Sequence, residues 1–200
     1  MTDSPQVAAQ KPATAATAGG KRERLIAAAR EVLHRQGVEA TTLAEIAGAA
    51  DVPVGNVYYY FKTKDELVAA AISSHEDLMS NALAELSKPR TPRARLKAYV
   101  RMLTDQRDLV AASGCPQGSL CSELDKRDGA LASECARLMA MPIEWAETQF
   151  REMRRRDARD LAVALLASYQ GIALLTNTFR DPELMVREGK RLERWIDSLA

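Results

Sequence analysis

The chain has 200 residues, with 28 Lys and Arg against 27 Asp and Glu, so a net charge of +1 singles out no polyanionic partner. Any grip on nucleic acid must come from where the charges stand. Hydrophobic residues reach 46%, enough for a proper core, while aromatics are only 5% and glycines and prolines are few, which points to an almost all-α protein. The three cysteines Cys115, Cys121 and Cys135, the lack of a secretory leader and the lack of any stretch of membrane-spanning length predict free thiols, no membrane and a cytoplasmic location.

Residues 1–20 are Ala, Thr, Pro and Gln with a closing Gly19-Gly20 pair, and they read as a disordered tail. From Lys21 an apolar face of Leu25, Ile26, Ala29, Val32 and Leu33 predicts a helix that Gly37 ends. Thr42 and Glu45 have capping-box spacing in front of a short helix with Leu43, Ile46, Ala47 and Ala50. Pro53 breaks the chain after Val52 and suits the start of the next helix, Val54 to Phe61, in which Val54, Val57, Tyr58 and Phe61 are spaced to face inward. After Lys62-Thr63-Lys64, a second Thr-x-x-Glu pair at Thr63 and Glu66 opens a long helix through Leu67, Val68, Ala71, Ile72, Leu78, Met79 and Leu86. Helix, short helix, tight turn, short helix and long helix is the outline of a helix-turn-helix reader.

Ser87 to Pro92 reads as a linker, followed by a helix from Pro92 to about Ala112 that Gly114-Cys115-Pro116 stops. Helices over Ser119–Lys126, Asp128 to about Arg156, Asp157–Phe179 and Pro182–Leu199 complete a set of about nine, with Pro142 expected to kink or divide the long one. The expected division is a disordered tail (1–20), a helix-turn-helix domain (21–66) and a ligand-binding and dimerisation domain (67–200).

A recognition helix shows base-reading side chains to the major groove and is anchored to phosphates at its ends. Asn56 both donates and accepts, Val54 suits a thymine methyl, Gly55 permits close backbone approach, and the Tyr59 and Tyr60 hydroxyls reach bases or phosphates. Lys64 and Thr42 stand at helix N-termini, where amide groups attract a phosphate. Tyr58, beside Val57 and Phe61, serves packing and contact equally well. Within residues 21–71 seven basic residues face seven acidic ones, so binding rests on geometry and a few placed cations.

The segment TTLAEIAGAADVPVGNVYYYFKTKDELVAAAI resembles the DNA-binding domain of the TetR family of bacterial transcriptional regulators. The likeness covers Lys21 to Ile72 in register and includes Gly55-x-x-Tyr58-x-x-Phe61 and Lys64-x-x-Leu67. It implies phosphate contacts at Thr42, Tyr58, Tyr60 and Lys64 and base contacts from Val54, Gly55, Asn56 and Tyr59. Position 54 is often basic or polar in this family, so Val54 departs from its pattern.

The same resemblance implies a homodimer on a roughly palindromic double-stranded operator and a small-molecule inducer. The expected dimer faces are Leu161, Leu165, Ser168, Ile172 and Leu175 on one helix and Leu192, Trp195, Ile196 and Leu199 on the last, with sealing of the monomer core as the equal alternative. The expected pocket lining is Tyr99, Met102, Leu103, Cys115, Leu120, Leu124, Leu138, Met139, Trp145 and Phe150. Gly114-Cys115-Pro116-Gln117-Gly118-Ser119-Leu120 resembles a Gly-Cys-Pro-x-Gly-x-Leu turn in one branch of the family. At a helix N-terminus Cys115 is a candidate sensor of oxidants or electrophiles, against the plainer role of a small packed side chain. Cys121 and Cys135 read as core.

No enzyme is expected. His34 and His75 lie on separate helices without metal-ligand spacing, no Gly-rich phosphate loop or nucleophile elbow is present, and neither cofactor nor metal is implied. A helical small-molecule-binding module without DNA binding is the rival reading, and it predicts a degraded recognition helix.

Overall fold

Capping residues and turns divide the chain much as their chemistry dictates. The computed structural model describes residues 19–88, 91–126 and 129–199; nearly all of the expected tail, and Pro89 and Arg90 of the linker, lie outside them. Ten helices and no strand occur among the described residues. They are α1 (Lys21–Ala40), α2 (Leu43–Ala49), α3 (Val54–Tyr60), α4 (Lys64–Leu86), α5 (Pro92–Thr104), α6 (Arg107–Ser113), α7 (Pro116–Leu124), α8 (Ala130–Glu152), α9 (Ala158–Phe179) and α10 (Pro182–Ser198).

Gly37, at φ +82°, interrupts α1 where a terminator was expected. The Thr42 box forms in full: its side chain accepts from the Glu45 amide and Glu45 accepts from the Thr42 amide. The second box is rearranged, because the Glu66 carboxylate takes the Lys62 amide (2.7 Å) while Thr63 accepts from Glu66 N (3.1 Å).

Three helices end in left-handed residues that are not glycine: Asp51 (φ 51°), Arg154 (φ 62°) and Arg180 (φ 53°). Each sits in a Schellman arrangement, with Val52 N on Ala47 O, Arg155 N on Phe150 O and Asp181 N on Thr176 O at 3.0 to 3.1 Å. This is why α8 stops at Glu152 and not near Arg156.

Two further boundaries differ from expectation. The helix expected over residues 92–112 is two, because Asp105 and Gln106 tighten the backbone, with Gln106 N bonding Leu103 O (3.3 Å), and redirect α6 onto α9 and α10. α7 starts at Pro116, not Ser119: proline at the first position loses no hydrogen bond, and the Cys115 sulfur caps by accepting from Gly118 N (3.4 Å). Pro142 does not divide α8, which continues through it with that ring buried.

The apolar core has two parts. One joins α1–α4 to Leu120, Cys121 and Leu124 of α7 and to Cys135 and Leu138 of α8; the other lies among α5, α6, α8, α9, α10 and the C-terminal part of α4 with Leu83, and Met139 touches both. The head therefore shares its interior with α7 and α8. α9, at 22 residues, is long and apolar enough to cross a membrane by length and composition, contrary to expectation. It packs against α6, α8 and α10, so part of that apolarity serves the core.

Candidate nucleic-acid interface and ligand cavity

α3 is pinned by Val57 and Phe61, both buried, and the Arg22 guanidinium lies 5.4 Å from the Phe61 ring centre. The residues expected to read bases lie on its open side: Val54 and Gly55 are exposed, Asn56 is partly so, and Tyr59 is 77% exposed. A Cβ built at Gly55 would meet nothing within 4 Å, so its lack of a side chain leaves open space above the backbone.

Two tyrosines exchange the places that spacing suggested. Tyr58 is 52% exposed, while Tyr60 is half-buried against the head core and meets Tyr59 edge to face, with ring centres 4.9 Å apart. Val54, also expected to face inward, is exposed at the first position of α3. The Lys62 ammonium donates to Tyr58 O (2.8 Å) at the C-terminal end of α3, and Lys64 donates to Glu39 O (3.3 Å). Thr42 caps α2 at the rim, and its hydrogen bonds hold the Glu45 carboxyl below the usual range.

α7 ties this head to the body. The Glu123 carboxylate accepts from Val38 N (2.7 Å) and Glu39 N (2.6 Å), just past Gly37, where a Cβ would stand 2.7 Å from a Glu123 oxygen. His34 Nε2 bonds Gly114 O at 2.8 Å, linking α1 to the turn between α6 and α7.

Between α4, α5, α7 and α9 lies a cavity of about 260 Å³ whose wall includes Met102, Leu103 and Cys115 from the expected set. Leu120, Leu124 and Leu138 instead fill the head-side core, Tyr99 and Phe150 fill the body core, and Met139 bridges the two. Trp145 packs on the body core and donates to Ser87 Oγ (2.8 Å). Large apolar side chains are the most efficient core fillers, so composition alone overstated their share of the wall. The sequence reading missed His75, Gln117 and Tyr169; His75, Leu78, Met79 and Ala82 recur at helical spacing on one face of α4, a signal that was available. A second groove of about 410 Å³ lies between α7 and α9, and Cys115 borders both.

All three cysteines are free and buried. Cys121 donates to Cys135 O at 3.5 Å; the interaction between these thiols, with burial, pushes Cys121 up, while the same partner lowers Cys135. No group of three or more His, Cys, Asp or Glu with metal-binding placement occurs among the described residues.

The outward stripe of α9 is Val163, Ala164, Ala167, Ser168, Gly171, Leu174, Leu175, Thr178 and Phe179, with Leu174 66% and Phe179 64% exposed. Of the residues expected at a dimer face, Ser168 and Leu175 are exposed. Leu165 and Ile196 are buried in the core of the monomer, and Leu161, Ile172, Leu192, Trp195 and Leu199 pack against it. The correction follows from composition: α9 is apolar on every side, so its period could not choose the inner face, and packing against α6, α8 and α10 chose it.

An open-faced α3 held by α1 and α2, on an all-α body, defines a helix-turn-helix protein. Residues 25–71 match the model described as bacterial regulatory proteins, tetR family. The chain is 30% identical to the transcriptional regulator AcuR of Cereibacter sphaeroides over 67% of this chain and 63% of that protein. It is 26% identical to the regulator TtgR of Pseudomonas putida over 88% of each. Matches to the first two curated relatives span 63% and 56% of their lengths, less than two thirds. A TetR transcriptional regulator from Legionella pneumophila has the same fold, with a TM-score of 0.80 at 18% identity over 90% of this chain and 97% of that one. The chain belongs to the TetR family of bacterial regulatory proteins.

Proposed function

We propose that the chain is a ligand-responsive transcriptional regulator that binds a roughly palindromic operator as a homodimer and represses until a small molecule releases it. The observation that carries this reading is the open side of α3, where Val54, Gly55, Asn56, Tyr58 and Tyr59 stand clear of a core closed by Val57 and Phe61. In this reading Tyr58, Tyr60, Thr42 and Lys64 hold phosphates while the others meet base edges. A module without DNA binding would have no reason to keep that chemistry exposed.

Two recognition helices must reach successive major grooves, so the reading needs a dimer, and the apolar stripe of α9 is the face that suits one. The cavity and the head share two elements. α4 runs from Lys64 at the head to His75, Leu78 and Met79 at the cavity, and α7 has Cys115 and Gln117 at the cavity and Glu123 on α1. A ligand that fits one setting of these helices better shifts the spacing of the heads by mass action.

The test is a gel-shift selection with DNA flanking the chromosomal gene. The expected product is a site with two related half-sites one helical turn or more apart, and selection of no sequence above random DNA would sink the reading.

Cys115 supports a second, thiol-sensing reading, because its sulfur borders both cavities and accepts the Gly118 amide at 3.4 Å. It requires Cys115→Ser to lose release by oxidants or electrophiles; an unchanged response removes it.

A further inference from the structure

The cavity of about 260 Å³ is small beside the usual span of about 300–1,000 Å³ for small-molecule sites. Its wall contains no Asp, Glu, Lys or Arg among the described residues, and much of it is hydrocarbon and thioether from Leu78, Met79 and Met102. The imidazole at its edge, His75, is neutral at neutral pH: burial first, then the nearby Arg30 and His34 charges, lower its pKa to about 4. Burial likewise keeps the Tyr169 hydroxyl protonated. An ion entering this space would lose hydration and meet no oppositely charged side chain in the wall itself.

One amide in the wall has no protein partner among the described residues. Gln117 is 8% exposed, lines the cavity, and makes no side-chain hydrogen bond among the described residues. Elsewhere the interior satisfies such a group: the buried Gln149 accepts from Arg95 (3.1 Å) and donates to Trp145 O (3.2 Å). The polar atoms buried without a partner among the described residues are Arg93 Nε, Arg95 Nε and Thr176 Oγ1, so the Gln117 amide keeps some access, and the cavity it lines is where a partner can reach it.

We propose that this cavity binds small, uncharged, mostly apolar molecules carrying one carbonyl or amide-like group, which the Gln117 side chain hydrogen-bonds. The inference rests on the regulatory reading above for its biological meaning and supplies the chemical class of that effector. A purely apolar ligand would fill the space but leave Gln117 unsatisfied, and a carboxylate or ammonium would find no counter-charge.

Four probes of one ring and different head groups test it on the full chain: benzamide, benzoate, benzamidinium and ethylbenzene, titrated by calorimetry without DNA. Benzamide is expected to bind best, with both ions at least about tenfold weaker. Gln117→Met is expected to weaken benzamide about tenfold while leaving ethylbenzene unchanged. Ala82→Phe, which fills the cavity, is expected to abolish binding of both, and circular dichroism confirms that each variant is folded. If Gln117→Met does not fold, the ranking of the probes and the Ala82→Phe variant decide the matter. Benzoate or benzamidinium binding as tightly as benzamide, undiminished benzamide binding by folded Gln117→Met, or no binding of any probe overturns the proposal. A separate gel shift distinguishes the two readings: benzamide bound in the expected order without any effect on DNA supports the ligand chemistry and overturns the effector role.

Discussion

Two helices leave apolar side chains in the open, and they do so with different chemistry. On α3 the exposed rings are Tyr58 and Tyr59, each ending in a hydroxyl, beside Asn56 and a glycine with open space above it. On α9 the exposed groups are the hydrocarbon of Val163, Leu174, Leu175 and Phe179, interleaved with Ala164, Ala167 and Gly171. The first face suits a hydrated, hydrogen-bonding surface such as a DNA groove, where apolar bulk positions and hydroxyls select. The second suits a dry partner that approaches closely, which a second copy of the same helix provides.

The contrast fails most visibly if a charge on α9 does nothing. Leu174→Glu places a carboxylate at the most exposed apolar position of that stripe; an unpaired charge at an interface costs about 3–5 kcal/mol, so association should weaken by roughly a hundred- to several thousandfold. Light scattering is expected to report a monomer with unchanged helicity, and operator binding should fall with it.

A smaller effect is expected on α3. Tyr59→Ala should weaken specific binding by about 1–3 kcal/mol, or roughly five- to a hundredfold, with helicity intact. Full operator binding in a gel shift would remove the assignment. Tyr60→Ala, by contrast, should also lower stability, because Tyr60 packs on the head core.

The smallest change separates folding from recognition at a single atom. Gly55→Ala adds a methyl group into open space, and helix propensity favours alanine by about 1 kcal/mol, so thermal stability should hold or rise. DNA affinity should nevertheless fall, because that methyl group stands where a backbone approaches the groove. A variant with unchanged affinity would mean that Gly55 is not at the contact surface.

Much of the head was legible because its information is local. Thr42 with Glu45, Gly37 and the Val57/Phe61 pair act within a few residues of themselves, so pattern and position coincide. Tyr58 and Tyr60 exchanged places, because on so short a helix spacing alone does not choose which ring the head core covers. Only a little of the cavity was legible. Large apolar residues such as Leu120, Leu138 and Phe150 look like lining but fill cores, whereas Gln117, His75 and Tyr169 meet from three helices distant in sequence.

By itself the sequence determined an all-α chain with a helix-turn-helix head, since helical periodicity, capping residues and turn breakers are short-range and act before anything packs. It did not determine where α7 begins, that Asp51, Arg154 and Arg180 adopt left-handed turns, or which side of the all-round apolar α9 faces out. Those were decided by tertiary structure, because each depends on what an element meets across the fold: the body helices that cover α9, the α1 amides that Glu123 holds, and the space left around an unpartnered glutamine.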